Sequence, residues 1–154
     1  MEDQILEAWE INNRVGLYVL NAIAPGFLTD VSASKGRTVG EQVAHIHNVR
    51  LMWLKQAAPE ISAAQTKVEK EQANDKELLS LSLEASSEGI KQLFQKSLTN
   101  GGKIKGFKPH ALGFLGYLIS HESHHRSQII LTLKQSGHAL DKKILFGIWE
   151  WGVR

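Results

Sequence analysis

The sequence predicts an all-α protein, a four-helix bundle with a short extra helix at its C-terminal end. Three observations predict it. Apolar residues recur at helical spacing in four long runs, the three prolines and the glycine pairs fall between those runs, and no run alternates as a strand between turn signals.

The first run spans about Gln4 to Ile23 and carries Ile5, Leu6, Trp9, Ile11, Val15, Leu17 and Leu20; Pro25-Gly26 ends it. After a polar loop, Thr38 followed by Glu41 forms a capping-box pattern, so a second helix is expected from Val39 to about Gln56, with Pro59 marking its end. Residues 60–73 read as a long connection with room for one helical turn. Asn74 or Asp75 then caps a third helix from about Lys76 to Leu98, which Asn100-Gly101-Gly102 stops. Pro109 is expected as the first residue of a fourth helix, with Gly137 as its C-terminal cap. A last helix is expected from about Asp141 to Trp151. Handedness and connectivity do not follow from these patterns.

A length of 154 residues bounds the chain to one domain, 1–154, with a single sizeable core. Hydrophobic residues at 42% and charged residues at 22% are a globular balance, which excludes a disordered chain. The net charge is +2 and the basic residues are interspersed with acids, so there is no arm for nucleic acid. The absence of cysteine excludes disulfides, thiolate nucleophiles and cysteine-ligated zinc. The acidic start, Met1-Glu2-Asp3-Gln4, does not resemble a secretory leader, and the apolar stretches are too short to span a bilayer. The expectation is a soluble cytoplasmic protein with no membrane partner.

The chemistry is concentrated in histidines. Seven are present, and His121-Glu122-Ser123-His124-His125 is the informative cluster. His121 and His125 lie one helical turn apart on one face, in a stripe with Phe114, Leu118 and Ile129, so both are expected to point into the bundle. His124 is about 100° around the helix and belongs to the rim. Buried imidazoles can be satisfied by hydrogen bonds alone, but two on one core face are satisfied together by a shared metal ion. Such a site needs a further ligand. His45 and His47 are the candidates, about 200° apart on the second helix, so at most one faces the site. His47 shares its face with Arg50, which leans that face towards solvent, whereas His45 shares its face with Val49 and Met52. Periodicity leaves both in play.

The same string matches H-E-x-x-H, in which the two histidines bind zinc and Glu122 is the general base of a metallopeptidase. The extended form of that motif is missing, because Gln128 stands where a glycine belongs and Leu131 where a third histidine belongs. The sole downstream glutamate, Glu150, lies near the end of the chain, and no sheet is predicted to hold a substrate strand.

Nearly the whole chain resembles the DinB-like (DinB/YfiT) family of metalloenzymes. Three motifs carry the resemblance: Thr38-Val39-Gly40-Glu41-Gln42-Val43-Ala44-His45-Ile46, His121-Glu122-Ser123-His124-His125-Arg126-Ser127-Gln128-Ile129, and Phe146-Gly147-Ile148-Trp149-Glu150-Trp151. Ser127 departs from the glycine often found in the family, outside the ligand positions. The resemblance implies a four-helix bundle, a homodimer, and a divalent metal held by His45, His121 and His125. It implies two reaction classes: a thiol S-transferase using a low-molecular-weight thiol, or a hydrolase activating water.

Three neutral imidazoles leave the metal's charge uncompensated and coordination positions open, which suits a catalytic site. A non-catalytic metal-binding protein is the alternative, with a closed site as its mark. The expected cofactor is Zn, Ni, Fe or Mn, its identity open, and the expected partner is a small-molecule substrate. Glu122 is a candidate base near the metal, with a salt-bridged residue as the alternative. Asn48 and Gln128, each three residues from a ligand, are candidates to orient imidazole N–H groups. Arg126 is a candidate to bind an anionic substrate, with a structural ion pair as the alternative. Trp149 and Trp151 are expected to wall the pocket, a dimer surface or the core. His110 and His138 are expected at the surface.

Overall fold

A computed structural model describes residues 1–154 and shows a mostly helical chain. Four long helices form the bundle: α1 (Glu2–Ala22), α2 (Val39–Ala57), α4 (Lys76–Thr99) and α5 (Ala111–Gln135). The short helices α3 (Pro59–Ser62) and α6 (Lys142–Gly147) and three 3₁₀ turns (Pro25–Thr29, Lys70–Gln72, Trp151–Val153) complete it. No helix is long and apolar enough to cross a membrane.

Local signals set the helix ends. At α2 both halves of the capping box are formed, Glu41 N–H donating to Thr38 Oγ1 at 3.1 Å and Thr38 N–H to Glu41 Oε2 at 2.8 Å. Asp75 caps α4 through Leu78 N–H. Gly137 adopts φ +82 just beyond α5, the left-handed conformation that ends a helix and that glycine takes without strain.

Each long helix packs chiefly on two others: α1 and α2 both lie against α4 and α5. The chain therefore crosses the bundle twice, once through residues 23–38 and once through the turn before α5, while α2 and α4 are neighbours despite the long connection between them.

Pro59 ends α2 as expected and opens α3, the helical turn for which the long connection has room. Two expectations are corrected. Pro109 does not start the fourth helix. It lies in β2 (Phe107–His110), which pairs antiparallel with β1 (Lys103–Ile104), and His110 is the N-cap, its Nδ1 accepting from Gly113 N–H. The hairpin escaped notice because two short strands cannot display an alternation; its one legible signal is Gly106, at φ +87 in the tight turn. The last helix stops at Gly147 rather than Trp151: the Gly147 carbonyl accepts from Arg154 Nε at 3.0 Å, Arg154 stacks on Tyr18 at 3.8 Å, and Gly147 packs on the same tyrosine too closely to admit a side chain.

The core is apolar at both ends and polar in the middle. One apolar cluster holds Val19, Ile23, Val43, Leu79 and Ile129, the other Trp9, Leu54, Phe94, Phe114 and Leu118. Between them Arg50 and Glu122, both 1% exposed, form a two-pronged ion pair. Asn12 donates to Glu122 at 2.7 Å, and Arg50 donates to Asn13 and to the Leu83 carbonyl at 2.9 Å each. Arg50 also lies over the Trp9 ring at 4.8 Å. The Arg50 face of α2 is thus interior, contrary to its polarity. His47 is buried on that face and bonds the Thr66 carbonyl through Nε2.

Candidate metal centre

α2 and α5 lie side by side, which brings His45 to the pair that α5 presents one turn apart, His121 and His125. One ring nitrogen from each of the three lies within 4.8 Å of the others. Nε2 of His121 and Nε2 of His125 are 3.1 Å apart. Nitrogen ligands on one tetrahedral zinc stand about 3.3 Å from each other, so little adjustment is needed. Ring centroids are 4.5 Å apart for His45–His125 and 5.4 Å for His45–His121.

The hydrogen bonds around His125 decide its tautomer. Its Nδ1 faces two amide oxygens, Gln42 Oε1 at 2.8 Å and Gln128 Oε1 at 3.0 Å. Nδ1 must therefore carry the proton, leaving the Nε2 lone pair free and directed at His121 Nε2. Two imidazole lone pairs so close repel unless a proton or a cation lies between them. The donor set and this geometry fit a divalent ion.

Electrostatics favour the neutral, ligating form of all three rings. Burial, with the His121 and His45 rings beside it, holds His125 down to about 4. Burial and the Arg37 charge lower His45, and burial lowers His121 against an opposing pull from Glu122. His125 is buried, while His45 and His121 are half-buried, so the group has an exposed side. A cleft of about 610 Å³ adjoins it at His45, walled by the residue 67–73 connection and by Arg37 at the start of α2. Tyr117 stacks on His121 with its ring 18° from parallel, and Trp53 donates to the Tyr117 hydroxyl at 3.3 Å.

The other expected site residues fall differently. Gln128 does bond an imidazole N–H. Asn48 does not; its amide holds Val68 by both N–H and carbonyl, at 3.0 and 2.9 Å, and so pins the connection that walls the cleft. Glu122 is turned away into the Arg50 pair, because its position on α5 faces the core rather than the cleft, and the H-E-x-x-H reading loses its base there. Arg126 is likewise interior, donating to Asn12 Oδ1 at 2.9 Å with Glu122 at 3.8 Å. The ion-pair alternative is thus present, and Arg126 does not line the cleft beside His45. His124 is exposed and outside the group. His138 is half-buried, paired with Asp30 at 2.7 Å and stacked on Phe27. Trp149 and Trp151 line a separate groove with Val15 and Ile119.

Gln42 is the residue that sequence reasoning missed. Its partner, His125, is 83 positions away along the chain, so no local spacing points to the contact.

A family model described as the DinB family matches residues 1–142. No curated protein and no solved structure matches the chain.

Proposed function

The chain belongs to the DinB family, and from that premise we propose that His45, His121 and His125 hold a catalytic divalent metal ion and that the protein is a thiol S-transferase. The observation that carries the metal reading is the convergence of three imidazole nitrogens within 4.8 Å, with one side open to a cleft.

When bound, a divalent ion supplies Lewis acidity, lowering the pKa of a thiol or water at the open position. The chain's own residues do the rest. Gln42 and Gln128 fix the His125 tautomer and ring plane. Low imidazole basicity keeps the ligands deprotonated at neutral pH. Tyr117 and Trp53 give the rim beside His121 an aromatic surface for the apolar part of an electrophile.

Two features favour thiol transfer over hydrolysis. No carboxylate stands among the clustered donors, the adjacent Glu122 is committed to Arg50, and the two carboxylates of the cleft, Glu41 and Glu69, are engaged by the α2 cap and by Lys67, so no carboxylate is free at the histidines to serve as a base for water. Imidazole ligands also suit a borderline-soft ion such as zinc, which binds thiolate sulfur well, and that anion offsets the charge left by three neutral ligands. With no cysteine in the chain, the thiol is external and of low molecular weight.

The test is metal content of the purified, metal-loaded protein beside His45→Ala, His121→Ala, His125→Ala and the control His124→Ala. About one equivalent in wild type and control, absent from the other three, is the expected result. Wild type that holds no metal after loading sinks the proposal. Metal-loaded protein is then screened for adduct formation between small thiols and electrophiles; turnover of esters or amides without any thiol would move the reading to the hydrolase class.

A further inference from the structure

The cleft beside His45 carries more positive charge than it needs for its own structure. Three cations line it, Arg37, Lys67 and Lys70, with two carboxylates, Glu41 and Glu69. Both carboxylates are engaged: Glu41 in the α2 capping box and with Lys70 at 3.4 Å, Glu69 with Lys67 at 3.2 Å. Arg37 has no carboxylate left to pair with, and its guanidinium takes part in no hydrogen bond or ion pair. Its backbone is nonetheless fixed. Thr38 beside it is the N-cap of α2 and bridges to Val31, and Val39 N–H donates to the Asp30 carbonyl at 3.0 Å. The side chain thus springs from an anchored point at the cleft wall.

An unpaired guanidinium on a fixed stem, close to a group of neutral ligands, is a fork for an oxyanion. The exposed Lys67 and Lys70 pairs are weak in solvent and can yield to a competing anion. A neutral or cationic substrate would gain nothing from this wall.

We infer that the substrate of this site carries an oxyanion, a carboxylate or a phosphate, that Arg37 grips while the reacting end lies at His45, His121 and His125. The inference rests on reading those histidines as a metal centre. It also moves the role of anion binding from Arg126, which is interior, to Arg37, which faces the cleft.

The test uses cobalt-loaded protein, wild type and Arg37→Gln, with thiols matched in all but charge: N-acetylcysteine against its amide, and pantetheine against its 4′-phosphate. Binding is read from the thiolate-to-cobalt absorption band. In wild type at least one anionic thiol is expected to bind about ten-fold tighter than its neutral partner, and Arg37→Gln to abolish that preference while leaving the neutral partner unchanged. The pair that shows the preference tells carboxylate from phosphate. Equal binding within both pairs in wild type overturns the inference, as does a preference that survives in Arg37→Gln, which would be direct chelation by the metal. Arg37 is exposed, so folding of the variant is checked by its cobalt stoichiometry. Protein that takes up no cobalt overturns the metal reading and this inference together; uptake of cobalt with no charge preference overturns this inference alone.

Discussion

Glu122 turns its carboxylate onto Arg50, in two hydrogen bonds of 2.7 and 2.8 Å across the bundle, although it is the chain neighbour of His121. Adjacent positions on a helix differ by about 100° in direction, so half-buried His121 joins the histidine group while Glu122 looks into the core. The pair is the centre of a polar layer that also fixes Asn12, Asn13 and Arg126.

Glu122→Gln is therefore expected to destabilise the fold by about 3–5 kcal/mol, since it leaves Arg50 buried without a counter-charge. The metal stoichiometry of the folded fraction should be unchanged. Urea unfolding and metal analysis check this. A variant of wild-type stability that loses turnover alone would restore Glu122 as the base.

Gln42 and Gln128 share one proton, the Nδ1–H of His125. Removing either leaves the other acceptor in place, so Gln42→Leu and Gln128→Leu should each weaken metal binding only a few-fold. The double variant should lose about 10- to 100-fold, the usual effect of stripping a ligand of its orienting partner. Chelator competition measures all three. Additive losses would mean that the two amides act separately.

The imidazole shifts give the metal-free protein a definite pH dependence. The unfolded rings protonate near 6.5, but folded His125 resists protonation down to about 4. Between those values the unfolded state binds more protons, so stability is complete above about pH 6.5 and falls as pH drops towards about 4. His125→Ala should flatten the slope in that window. Urea midpoints taken along a pH series check it, and an equally steep slope in the variant would assign it elsewhere.

Gly40 touches the connection that walls the cleft. A Cβ there would stand 1.9 Å from the Ala73 carbonyl oxygen, which is backbone and cannot swing aside. Alanine would raise the helix propensity of α2 by about 1 kcal/mol, but the clash outweighs it. Gly40→Ala should destabilise by about 1–3 kcal/mol or more by overpacking. Thermal unfolding decides the sign, and a stabilised variant would refute the close approach.

Much of the bundle is legible in the sequence. The long helices run within a few residues of their expected limits because caps and breakers are local: Thr38 with Glu41, Asp75, and Gly137 act on backbone groups only a few positions away. The His121–His125 pair was legible for the same reason, since one turn of helix sets its spacing. Polarity was the wrong guide to α2. Arg50 suggested solvent for the His47 face, yet both are buried, while Met52, on the His45 face, is 53% exposed. The partner that makes a buried arginine acceptable, Glu122, is 72 positions away along the chain.

The sequence by itself thus determined which residues share a helix and at what angle to one another, because the helical period is a property of the backbone. It did not contain, in any local pattern, which of those angles faces inward. That was decided by the tertiary structure, through the packing of α1 and α2 against α4 and α5. This packing closes Glu122 onto Arg50, brings His45 to His121 and His125 beside a cleft that His45 lines, and brings Gln42 to a histidine 83 positions further along the chain. The physical reason is that burial, ion pairing and ligand convergence depend on distances in space between groups far apart in the chain, and only the folded core sets those distances.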